Sequence, residues 1–167
     1  MTLFSLLFVL ACGTPAPAPA APQGPTAVEA LSKMDTRKPV PLQPMMAWHQ
    51  KQNMMGHLEA IQKITKALST EDWDGIAKAT EAIAISPEMK MQCEHMGKGA
   101  AGFTDQALEF HHRADAITEA AKKKDTTGVL KATAHTLEAC TGCHATFRQD
   151  VVDAATWEAR TGSTLDH

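Results

Sequence analysis

The chain predicts an all-α fold, an antiparallel four-helix bundle, and three observations carry that expectation. Strand-favouring aromatics are scarce: the 167 residues include five Phe, three Trp and no Tyr, while Ala, Met, Lys and Glu are abundant. Apolar residues recur every three or four positions through several long segments. Cap residues, Pro and Gly stand at the ends of those segments, where helices start and stop. No internal repeat is visible.

Ahead of the helices stands "MTLFSLLFVLAC", whose apolar run is too short to span a bilayer. Residues 1–12 read as a secretory signal. "VLAC" resembles the lipobox of bacterial lipoproteins, with acylation at Cys12, although no Lys or Arg precedes the run. The lipoprotein reading is preferred to plain secretion. It implies a periplasmic or outer-surface location, with the membrane touched only through the lipid. Residues 13–43 form a lead-in that opens "GTPAPAPAAPQGP", a Pro/Ala alternation expected to be an extended, semi-rigid tether.

Helix 1 is expected over 44–68, with Pro44 in its first turn and Met54, Leu58, Ile61, Ile64 and Leu68 as its stripe. Helix 2 is expected over roughly 70–85, capped by Ser69 or Thr70 and closed by Pro87. "PEMKMQCEHMGKGAAG" reads as one short helix and a Gly-rich loop. Helix 3 follows Gly102, with Thr104 as its cap and Phe103, Ala107, Phe110, Ala114, Ile117 and Ala121 as its stripe. Asp125 caps helix 4, whose stripe is Leu130, Thr133, Leu137, Cys140, His144, Phe147 and Val151. The short turn between helices 3 and 4 makes them antiparallel neighbours. The folded domain is expected to span 44–151, with 152–167 as an extension in which Trp157 docks the last turn.

A net charge of −3, both signs interspersed, gives no basic stripe and excludes a nucleic-acid partner. No pair of acidic residues forms a catalytic constellation, so an enzyme is not expected. The chemistry lies in "LEACTGCHATFRQD", where Cys140, Cys143 and His144 stand together. A thioredoxin-like motif needs a βαβ setting, and a structural zinc site needs four ligands, for which Cys93 and His95 are poorly spaced. A disulfide between Cys140 and Cys143 would be strained within a helix. C-x-x-C-H on a helix suits covalent haem attachment: two thiols for two vinyl groups, and an imidazole for the iron.

"LKATAHTLEACTGCHATFR", with "FHHRADAITEAAKKKD" before it, resembles the class II c-type cytochromes, the cytochrome c′ and cytochrome c-556 family. In that family C-x-x-C-H lies on the last of four helices. The resemblance covers roughly residues 44–150, and it implies one covalent haem c on Cys140 and Cys143, with His144 as proximal iron ligand. Phe147 takes the family's aromatic place, and Arg148 its basic place beside the proximal haem face. The family's distal residue lies on helix 1: Met in low-spin electron carriers, apolar in five-coordinate gas binders. Met54 is the first candidate, Met55 the second, and Met46 serves if the haem lies nearer the helix start. His49-Gln50 stands where the family often has Arg-Gln.

His49, His57, His111 and His112 compete as distal ligands, with at most one of the last two facing inward; His135, on the motif's own helix, cannot reach. Electron transfer with redox partner proteins is therefore the leading function. Binding of nitric oxide or another small gas is the alternative. Copper handling through the "MKMQCEHM" cluster of soft donors is a third reading. Homodimerisation is common in the family.

Overall fold

A computed structural model describes residues 24–163; the signal, Cys12 and most of the tether lie outside them. Among the described residues it is mostly helical, in agreement with the all-α expectation at that level, with two short strands in addition. The chain divides into a unit ending at Thr36 and a larger one beginning at Arg37. In the first, α1 (Ala27–Met34) is nucleated by a capping box: Glu29 N–H donates to Thr26 Oγ1 at 3.2 Å, and Thr26 N–H donates back to Glu29 Oε2 at 2.7 Å.

The larger unit opens with β1 (Lys38–Leu42). Pro39 and Pro41 lack N–H groups, so only alternate residues of β1 can donate, a pattern a two-stranded edge tolerates. α2 follows over Pro44–Leu68, the expected span, with Pro44 at its first turn. α3 is shorter than expected, Trp73–Thr80. Its cap is Asp72, which accepts from Gly75 N–H at 2.9 Å, not Ser69 or Thr70. It ends early because partners outside the helix take the next backbone groups: the Ile83 carbonyl meets His111 Nδ1 at 2.9 Å, and Ile85 N–H donates to Asp115 Oδ1 at 3.3 Å.

α4 (Pro87–Met96) is capped by Ser86. α5 (Phe103–Lys122) starts where expected, but the capping position is Gly102, at φ 83°, a conformation suited to glycine. Thr104 instead donates its hydroxyl to the Cys93 carbonyl at 3.4 Å. Asp125 caps α6 (Thr126–Thr146) as anticipated, accepting from Gly128 N–H at 2.9 Å.

α6 does not continue through Phe147 and Val151. Phe147 turns extended (φ −121°, ψ 149°) and begins β2 (Phe147–Val151). β2 pairs in parallel with β1, Lys38 opposite Phe147 and Leu42 opposite Val151. The spacing of three and four residues that suggested a longer helix is matched by chance. Phe147 is drawn into the core by an edge-to-face contact with Phe103, ring centroids 5.4 Å apart. One further expectation changes: residues 38–43 are not tether, since Val40 and Leu42 are buried. Within the extension, Asp153 caps α7 (Ala154–Thr161), and Trp157 is only 1% exposed.

α2 packs along α3, α3 along α5 and α5 along α6, whereas α2 and α6 meet only sparingly. The buried side chains fall into two clusters. One joins Ala60, Ile61 and Ile64 of α2 to Ile76, Phe110, Ala114, Ile117 and Val129. The other joins Val40, Leu42 and Ala47 to Phe103 and Phe147.

Candidate functional site

Cys140 and Cys143 are both half-buried free thiols on α6, and they touch different parts of the core. Cys140 packs against the first cluster and Cys143 against the second. The motif therefore straddles the break between the two clusters. Burial raises both thiol pKa values, that of Cys143 further through the neighbouring Cys140, so both are neutral near pH 7. Cys93 is buried on α4, and burial followed by the nearby Cys143 pushes its thiol up to about 11.

The flanks of α2 and α6 differ in exposure. One flank of α2, bearing Gly56, Ala60 and Ala67, lines a groove with Gly75 and Ala79 of α3. At 100° per residue, Met54 and Leu58 belong to the opposite flank, and they are 38% and 62% exposed. On α6, the side near α5 carries His135, whose carbonyl accepts from Arg113 at 3.0 Å. The other side carries Leu130, Leu137 and His144, all exposed, beside Cys140. Two apolar flanks thus border the sparsely bridged seam between α2 and α6. The stripes expected to form the core at Met54, Leu58, Leu130 and Leu137 belong instead to this seam. Exposed apolar rows flanking a reactive motif call for an apolar occupant.

Of the methionines, Met54 lies on the same face of α2 as buried Gln50 and Ile61. Met55 lies further round, 55% exposed. Met46 packs against the cluster that Cys143 joins, and so does Met96 of α4, the last residue of the "MKMQCEHM" cluster. Of the histidines, His49 is exposed against the edge of Trp48, and His112 and His135 are exposed. His111 is the inward member of its pair, 2% exposed. His57 stacks on Phe110 with centroids 4.7 Å apart and meets His111 edge-on at 5.2 Å. Burial, then the His111 charge, pulls its pKa down to about 4, leaving a neutral imidazole.

Phe147 and Arg148 are not where a continuous helix would put them. Phe147 is a core residue of the second cluster. Arg148 lies on β2 opposite Pro39, its Nη1 3.5 Å from Asp150 Oδ1, while Arg160 grips the other carboxylate oxygen at 2.6 Å. A different cation reaches the motif: Arg37 Nη1 donates to the His144 carbonyl at 3.1 Å and to that of Phe147 at 3.5 Å. Its place in the lead-in gave no local hint of this contact.

A haem fits these residues on the chemistry of its donors. Two neutral thiols lie three positions apart on α6, Cys140 beside the exposed apolar flank and Cys143 turned toward the second cluster, with the His144 imidazole on that flank. Three buried N–H donors among the described residues lack partners, Gln43 Nε2, Arg148 Nε and Trp157 Nε1, and all three lie in or beside the β1–β2 and α7 end of the fold. No family model, curated protein or solved structure matches the chain.

Proposed function

We propose that the chain is a monohaem c-type cytochrome of four-helix-bundle form, exchanging single electrons with redox proteins at a periplasmic or outer membrane surface. The observation that carries this reading is a C-x-x-C-H motif whose two thiols touch two separate core clusters beside an apolar seam. When bound, the haem supplies one-electron iron chemistry or small-gas binding.

This chain's residues would do the rest. Cys140 and Cys143 fasten the group covalently, which suits an exported protein. His144 supplies the proximal imidazole, and Met54, on the interior face of α2, the distal thioether. Leu58 and Leu137 shield the seam from water. With a thioether and an imidazole as its ligands, the iron would have a raised reduction potential, which suits a one-electron carrier. Met46 is the next candidate for the distal side, and Met55, turned outward, follows it.

A second reading, nitric oxide or another small gas at an open distal side, is favoured by the partial exposure of Met54. Copper handling would rest on fewer donors than the sequence suggested: Met91 is exposed, whereas Met89, Cys93 and Met96 fall on one inward side of α4. An acyl chain at Cys12 would hold the domain at the membrane, and pairing into homodimers is compatible with the exposed helix faces.

Absorption spectra of protein made with haem-maturation machinery separate the readings. A low-spin ferric spectrum that turns high-spin in Met54→Ala supports the electron carrier. A high-spin wild-type spectrum that shifts with nitric oxide overturns it in favour of the gas binder.

A further inference from the structure

The lead-in reaches the motif from an unexpected direction. α6 ends at Thr146, and the last carbonyls of a helix point outward with partial negative charge and no intrahelical partner. His144 contributes one of them. Arg37, the first residue of the larger unit, donates one guanidinium nitrogen to that carbonyl at 3.1 Å and to the Phe147 carbonyl at 3.5 Å. The contact joins residues 107 positions apart, and it is held by the strand that follows, since Lys38 pairs with Phe147. Meanwhile Arg148, the nearest cation in sequence beyond the motif, is engaged with Asp150 beside Arg160. The positive charge bonded to the proximal residue's backbone therefore comes from the N-terminal side of the domain.

We infer that Arg37 is a positioning residue for His144, fixing the end of α6 through the His144 carbonyl and placing a positive charge at the C-terminal end of the motif helix. This rests on the haem reading proposed above. A cation bonded to the backbone of an iron ligand would oppose the extra positive charge of the ferric state and so would favour the reduced form. The short parallel pair that begins immediately after Arg37 holds that residue at the end of the motif helix. Without β1, nothing would deliver the guanidinium there.

The test uses the full chain matured with haem. Intact mass and the reduced absorption spectrum of the wild type come first; absence of covalent haem overturns the reading itself and the inference with it. Given haem, the midpoint potential is measured for Arg37→Gln, Arg37→Met and Arg37→Lys. Two neutral replacements are made so that one that folds suffices. The neutral variants are expected to shift to lower potential with an unchanged low-spin spectrum, while Arg37→Lys, which keeps the charge, stays near the wild type. Neutral variants at the wild-type potential would overturn the inference and leave Arg37 a helix cap alone. A fall in Arg37→Lys equal to theirs would overturn it too, because shape rather than charge would then be responsible.

Discussion

At the residue scale, the half-buried groups around the motif set clear expectations. His57 and His111 are held neutral by burial, and His57 titrates near 4 rather than at its ordinary 6.5. A histidine whose pKa is lower folded than unfolded binds fewer protons in the fold. Its stabilising effect is complete above pH 6.5 and is lost as pH falls from there toward 4. Urea midpoints should therefore drop between pH 7 and pH 4.5, and His57→Phe, which keeps the stack on Phe110, should flatten that drop. An equal pH dependence in the variant would show that His57 does not govern it. Two thioethers of α2 are separated by substitution: Met54→Ala is expected to change the ferric spin state, while Met55→Ala, on the outward flank, leaves the spectrum as it is.

At the element scale, what was legible in the sequence follows from how local its causes are. α2 matched its expected span because Pro44 starts it and its periodicity runs unbroken to Leu68. Asp125 was recognisable as a cap because a short polar side chain three residues before Gly128 carries its own mechanism. Asp125→Ala should cost about 1 kcal/mol, read as a lower urea midpoint with an unchanged slope. α3 was overextended because the bonds that stop it, from His111 and Asp115, come from another helix. The strands were invisible for a related reason. Two prolines in five residues argue against a strand, and the partner of β1 lies over a hundred residues away. α7 was missed as an element, although Trp157 was the right residue to notice. Its indole is fully enclosed, so Trp157→Ala should cost about 3–5 kcal/mol and loosen the β1–β2 end first. Hydrogen exchange over residues 38–42 and 147–151 checks this; unchanged protection there would mean α7 stands apart from the ladder.

At the scale of the whole molecule, the candidate site was half visible. The motif was plain from spacing alone, since Cys140, Cys143 and His144 are adjacent along one helix. The break in the core was not, because it depends on which helices touch. Met54, Leu58, Leu130 and Leu137 carry a core-like period, yet they border a seam between α2 and α6. Apolar residues patterned for burial but left exposed are what a protein folded around a large apolar group shows when its polypeptide is considered alone. Haem attachment should accordingly stabilise the domain, raising its melting temperature and bringing the seam leucines under cover. No helix among the described residues is long and apolar enough to cross a bilayer.

The central claim is that this chain carries one haem fastened through Cys140 and Cys143. The most direct measurement is the intact mass of the denatured protein after expression with haem-maturation machinery, compared with Cys140→Ser/Cys143→Ser. The account predicts a gain of one haem that survives denaturation in the wild type and is absent from the double variant. A wild-type mass equal to the polypeptide alone, or a gain that persists without the two cysteines, would contradict it.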